Sequence, residues 1–222
     1  MTQPGRRTQV DRSTETRALL IRAAVKLLQT VGFAGTTTAL IAKHAGVTTG
    51  ALHHHFATKD DLMLGVLGEM TERVRSRLDQ QDGLTVDGRL DATRMVAHLW
   101  EVYGDPEYWA IWEIIIGTRA DAAFHPRVVA DRLNTMRTVI HPWVERHVLS
   151  DTVRLATIAL FEFTLIAIRG LGLERFLDKD TAYFERNLRL LAEMVSQKLA
   201  QLAAVAATAD EGSAKTEGME YE

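Results

Sequence analysis

Apolar residues in this chain recur at intervals of three and four. Leu19, Leu20, Ala23, Ala24, Leu27, Leu28 and Val31 form one such stripe, the mark of a helix with one buried face. The same period returns in Leu62, Val66, Met70 and Val74, and again in Leu188, Leu191, Val195, Leu199 and Leu202. Alternation of period two is scarce, and only four prolines interrupt 222 residues. The chain therefore reads as all-α, with about nine helices. The spacing and cap residues predict them over about 13–31, 36–44, 48–55, 58–80, 86–103, 105–119, 126–148, 150–170 and 180–203. Gly32 and Gly46 stand where helices end. Asp105-Pro106 is a helix start, and Pro142 falls inside a predicted helix, which it should kink.

Composition narrows the chemistry. There is no cysteine, so no disulfide, no thiolate metal site and no thiol nucleophile. The longest apolar runs, such as Ile114-Ile115-Ile116, fall far short of the roughly 20 residues of a membrane span. The first residues are polar and basic, unlike a secretion signal. The expectation is a soluble cytoplasmic protein. The formal net charge of −3 speaks at first against nucleic acid, but it is unevenly spread. Residues 1–65 carry eight Lys or Arg and four acids, and the remainder is net −7. This split suggests a nucleic-acid-binding head on an acidic body. Together with the helix boundaries, it suggests a disordered basic arm (1–12), a head (13–57), a body (58–205) and a disordered acidic tail (206–222).

Residues 36–56 carry the most information. Leu40, Ile41 and Ala45 face inward on a short helix, and Ala42 is small enough for a second helix to cross closely. Gly46 supplies the tight turn, and Val47 and Leu52 fill the gap between the two helices. Two steeply crossed helices with a glycine turn make a helix-turn-helix unit, whose second helix enters the DNA major groove. The outward residues of that second helix are Thr48, Thr49, Gly50, His53 and His54. None is apolar, and no core requires them to be polar. Spacing alone is equally met by an αα-corner in an ordinary helical protein.

The stretch GFAGTTTALIAKHAGVTTGALHHHFATKDDL resembles the DNA-binding domain of the tetracycline-repressor (TetR/AcrR) family of transcriptional regulators. The glycine-aromatic, Thr-Thr, Ile-Ala, Ala-Gly-Val, Gly-x-Leu, His-Phe and Lys-x-x-Leu elements occur in order over about residues 15–64. The resemblance implies a three-helix DNA-binding domain followed by a helical ligand-binding and dimerisation domain. It implies that Thr36 and Thr37 bind phosphate at the start of the second helix. Thr48, Thr49 and Gly50 would face bases or phosphates, and His53 and His54 would reach the groove or its rim. Lys59 would contact phosphate, and His55 and Phe56 would lock the helix to the core. Where the family commonly has tyrosine, this chain has His53.

Rival chemistries find little support. Three consecutive histidines on a helix point about 100° apart and cannot converge on one ion, so no metal and no cofactor is expected. His98, His125, His141 and His147 are scattered and suit capping or core hydrogen bonding. No phosphate-binding glycine loop or nucleophile elbow is present, so no enzymatic activity is expected. All four tryptophans lie beyond residue 99. Trp100, Tyr103, Trp109, Trp112, Glu113, Ile116, Phe161 and Arg169 are candidates for an effector pocket. Such sites are apolar with a few polar groups. Glu113 interrupts an apolar run and should meet a cation such as Arg119 or Arg169, a ligand or water. Ala156, Leu160, Phe163 and Ala167, with Leu188, Leu191, Val195 and Leu199, read as a dimer interface. The expected partners are operator DNA with a pseudo-palindromic site, a second copy of the chain and a small-molecule effector. A helical ligand-binding protein or enzyme without a DNA role is the competing class, and a constitutive architectural DNA binder is a third.

Overall fold

The computed structural model describes residues 9–80, 84–86, 89–148 and 150–217. The helices among them are α1 (Gln9–Gly35), α2 (Thr38–Ala45), α3 (Thr49–His55), α4 (Lys59–Asp79), α5 (Ala92–Tyr103), α6 (Trp109–Thr118), α7 (His125–Thr135), α8 (His141–Glu145), α9 (Arg154–Leu173) and α10 (Thr181–Glu217). A π-helical turn, Met136–Ile140, joins α7 to α8 without a break, so the described residues form nine helical rods. The kink expected at Pro142 takes this form. Proline has no amide hydrogen to donate to the carbonyl four residues back, and the His141 amide reaches five back, to Met136. The fold is all-α apart from a two-residue hairpin, Thr85–Val86 paired with Arg89–Leu90. That hairpin replaces the first turn predicted for α5. The Asp91 carboxylate accepts the Arg94 amide at 2.8 Å and starts the helix there instead.

Contacts divide the chain into two compact units. One comprises residues up to Arg73 together with Pro106–Asn134; the other comprises Val74–Asp105 and residues from Thr135 onward. The sequence punctuation at residue 58 is thus not where the packing divides. In the first unit α1 buries Leu20, Ile21, Ala24, Leu27 and Leu28. Val31, expected on the same face, is half exposed, because the regular helix ends at Gly32 (φ 71°, ψ 177°). This left-handed φ is one that glycine adopts without strain. α6 lies close enough to the Gly32 turn that a side chain on Gly117 would run into the Phe33 ring at 2.4 Å.

In the second unit α10 packs along α5 and α9. Trp143 is buried and donates its indole hydrogen to the Leu78 carbonyl at 3.2 Å. α10 runs to Glu217, past the point where a disordered tail was expected. Ala203, Ala204, Ala206 and Ala207 favour helix, and Ala206 is buried beside Leu202 and Val153. Residues 1–8 and 218–222, the outer parts of the expected arm and tail, lie outside the described residues. Two stretches, Arg12–Gly35 and Asp151–Leu177, are by length and composition long and apolar enough to cross a membrane, contrary to the expectation from short apolar runs. Each buries one face in its own unit, through Leu20, Ile21 and Leu27 in one and Phe161, Leu165 and Ile168 in the other.

Candidate nucleic-acid interface and ligand cavity

The expected helix-turn-helix is present, and each of its turns has a local cause. Thr37 caps α2, its hydroxyl accepting the Leu40 amide at 3.2 Å. Gly46 closes the helix in the left-handed region (φ 70°), its amide donating to the Ala42 and Lys43 carbonyls. Nothing lies within 4 Å of a Cβ placed on Gly46, so its backbone conformation, and not crowding, calls for glycine. Thr48 then caps α3, accepting the Ala51 amide at 3.1 Å. Ile41, Ala42 and Leu52 are buried between the helices.

The outward face of α3 is Thr48, Thr49, Gly50, His53 and His54, all exposed. A side chain on Gly50 would meet only the Thr48 hydroxyl, at 3.9 Å, so the fold itself does not demand glycine there. Thr37, Lys43 and His44 are exposed on and beside α2. His44 went unnoticed in the sequence, because nothing in its spacing sets it apart from a solvated helix residue.

Two expected DNA contacts are placed differently. Thr36 is fully buried, and its hydroxyl donates to the Gly32 carbonyl at 2.7 Å. It stitches the turn after α1 and presents nothing to a phosphate, so that assignment is corrected. Lys59 is half-buried, its ammonium donating to the Phe33 carbonyl at 2.9 Å and lying 4.1 Å from the centre of the Phe33 ring. Desolvation lowers its pKa, with Asp60 opposing. Phe56 is buried, with a side chain on Gly65 excluded by its ring at 2.8 Å and the Arg17 guanidinium 5.2 Å from its centre. Half-buried His55 is held below the ordinary imidazole range by burial, then by His54 and Arg17.

The eight residues proposed for one effector pocket fall in two units. Trp109, Trp112, Glu113 and Ile116 belong to the first. There the Glu113 carboxylate accepts the Phe33 amide at 3.0 Å and the Trp109 indole at 2.9 Å. The partner expected to be a cation is thus a main-chain amide and an indole. Trp100, Tyr103, Phe161 and Arg169 belong to the second unit. The Arg169 guanidinium lies 5.1 Å from the Tyr103 ring centre, Phe161 packs edge-on to Trp143, and Trp100 stacks on Phe184. Trp100 also lines an open cavity of about 860 Å³ between α5 and α10, together with Val96, Ala97, Leu188 and Ala192.

The expected interface residues divide as well. Val195 is 1% exposed and Leu191 is also buried, so both are core residues of their own subunit and are withdrawn from the interface. Leu160, Ala167, Leu188 and Leu199 are half-buried, and Ala156 and Phe163 are exposed. The exposed apolar residues of α10 are Leu190, Met194 and Val205, and those of α9 are Leu155, Phe163, Ile166 and Leu173. With about 100° per residue, each set lies on one helix face, and the sequence stripe on α10 was the opposite, inward one.

A glycine-turned helix pair with a polar outer face is the geometry of a helix-turn-helix DNA-binding unit. The family model described as bacterial regulatory proteins, tetR family, matches residues 20–66. The chain is 28% identical to the HTH-type transcriptional regulator CymR of Pseudomonas putida over 205 residues, which is 89% of this chain and 98% of that protein. In fold it is similar to a transcriptional regulator from Rhodococcus sp. Rha1, with TM-score 0.63, 21% identity and coverage of 82% and 96% of the two chains. It is also similar to the multidrug binding protein EbrR complexed with imidazole, with TM-score 0.57, 20% identity and coverage of 89% and 97%. The chain belongs to the tetR family of bacterial regulatory proteins. It is a DNA-binding transcriptional regulator, and its relatives and fold neighbours are regulators, not enzymes.

Proposed function

We propose that this regulator is a cytoplasmic homodimeric repressor that leaves a pseudo-palindromic operator when a small molecule binds. The observation that carries the DNA side is the exposed polar face of α3, which nothing in the core requires. In this reading Thr37 and Lys59 meet phosphate. Thr48, Thr49, Gly50, His53 and His54 meet the groove and its rim. Two copies of α3 then lie roughly 34–36 Å apart.

The dimer is supported by the outward apolar rows of α9 and α10. They include Leu155 at 80% exposure and Ile166 at 64%, and outward apolar rows of this kind mark protein–protein contacts. An effector site is supported by the cavity between α5 and α10, whose lining includes Trp100 together with Glu101, Glu185, Arg189 and Glu193. EbrR, a fold neighbour, is seen with a small molecule bound. Release follows if the effector favours a conformation that DNA does not, since a ligand shifts an equilibrium only by its preference between states.

The test is to let the protein select duplexes from a random-sequence pool and to footprint the winners. Two inverted half-sites about one helical turn apart are expected, bound by two chains. Selected sites without inverted symmetry, or bound by a single chain, refute the dimeric reading. No enrichment at all refutes the DNA reading.

A further inference from the structure

Two imidazoles near the recognition helix are tied to their own backbone through the same nitrogen. His53 Nδ1 lies 3.3 Å from the Ala57 carbonyl oxygen, and His44 Nδ1 lies 3.3 Å from the Leu40 carbonyl oxygen. A carbonyl only accepts, so Nδ1 of each ring carries the hydrogen. A neutral ring then keeps a bare lone pair on Nε2, the nitrogen left for a ligand. Phosphate oxygens and the N7 and O6 of guanine are themselves acceptors, and they meet that lone pair unfavourably. Only the imidazolium has an Nε2 hydrogen to give them, together with a positive charge. His53 and His54 stand exposed in the last turn of α3, where the helix dipole favours a cation.

We propose that His53 makes DNA binding proton-linked: the protein takes up a proton as this ring closes on phosphate or guanine, so its grip on DNA tightens as pH falls. The inference rests on α3 being the DNA-reading helix and adds to that reading a chemical condition for contact.

The surrounding charges are consistent with it. α2 contributes Lys43 and His44, α3 contributes His54 and His55, and α1 contributes Arg17 beside Phe56. α4 contributes Lys59, Asp60 and Asp61. Lys59 gives one of its three hydrogens to the Phe33 carbonyl, and Asp61 accepts from Thr58 and Arg127. His55 is half-buried, and burial, then His54 and Arg17, lower its pKa. The sign is fixed: contact with phosphate or guanine favours the protonated ring, so binding strengthens toward acid and weakens toward alkali.

The experiment measures fluorescence anisotropy of the full-length protein with a duplex that it has itself selected from a random pool, from about pH 5.5 to about pH 8 at fixed ionic strength. Affinity is expected to rise toward acid by about tenfold for one proton taken up on binding. The salt slope should steepen by about 0.9 for each added phosphate contact. The variant His53→Gln should bind with a shallower pH profile than the wild type, and His53→Lys should bind tightly with a profile equally shallow. Wild-type affinity and salt slope that do not change with pH overturn the proposal, as does a glutamine variant that keeps the full pH dependence. Failure to bind any duplex at any pH overturns the DNA-reading role of α3 beneath it.

Discussion

Replacing Glu113 with alanine should loosen α6 from the turn that follows α1. The carboxylate accepts from two donors, the Phe33 amide at 3.0 Å and the Trp109 indole at 2.9 Å. A hydrogen bond to a charged group contributes about 1.5–3 kcal/mol when buried. Glu113 is only half-buried, so the lower end applies, and the pair together should be worth about 2–4 kcal/mol. That is a large share of the 5–15 kcal/mol by which domains are usually stable. Glu113→Gln gives a sharper comparison. Its amide oxygen can satisfy one donor, but its NH₂ then faces the other, so it should recover no more than about half of the loss. The assay is urea unfolding of the full chain followed by helical circular dichroism, with hydrogen exchange at the Phe33 amide as the local readout. Phe33 exchange should accelerate in both variants, more in alanine. An alanine cost under about 0.5 kcal/mol, the size of an ordinary surface change, with Phe33 exchange unaltered, would show that water replaces the carboxylate and that this clamp does not hold α6.

Neighbouring residues of α10 should behave oppositely. Met194→Glu, on the half-exposed outer row, should leave the chain folded and give monomers on size-exclusion chromatography. Val195→Glu, at a site 1% exposed, should cost about 3–5 kcal/mol for an unpaired buried charge and unfold the subunit. Dimers of the Met194 variant at low concentration would refute the interface. Lys59→Ala should cost about 1 kcal/mol by stripping the Phe33 carbonyl of a donor and should lower the salt slope of DNA binding by about 0.9. A lost stability with an unchanged slope would make Lys59 a strut only. Asp61 is held below its ordinary range by the Thr58 hydroxyl and then by Arg127. Its contribution to stability is therefore present at neutral pH and is lost as pH falls through that lowered range. Asp61→Asn should show a shallower acid loss of stability than the wild type in pH-dependent thermal melts. Superimposable profiles would refute the role.

The helix-turn-helix was legible because each of its parts is a local signal. Thr37, Gly46 and Thr48 act within four residues of themselves, through a cap or a left-handed turn. The burial of Thr36 was not legible, since two adjacent threonines look alike until the kink at Gly32 aims one hydroxyl at a carbonyl. Glu113 was recognised as a polar intruder in an apolar helix. Its partner lies 80 residues away and is a backbone amide, a group every residue has and no composition can flag. The stripe on α10 was read correctly as periodic and assigned to the wrong side. A long helix with apolar residues on two faces offers sequence no sign of which face its own chain covers, and the burial of Leu191, Val195, Leu202 and Ala206 decides it.

The first compact unit is assembled from two separate stretches of chain, and that bears on how such regulators could exchange parts. A DNA-reading head cut at residue 57 leaves behind Gly117, against which the Phe33 ring closes, and Glu113, which holds the Phe33 amide. It also leaves Arg132, which donates to the Leu67 carbonyl and Thr71 on α4. A graft that changes the sensed molecule while keeping the recognised DNA has to carry α6 and α7 along with α1–α4. The heritable module is thus a surface of matched side chains, not a run of consecutive residues.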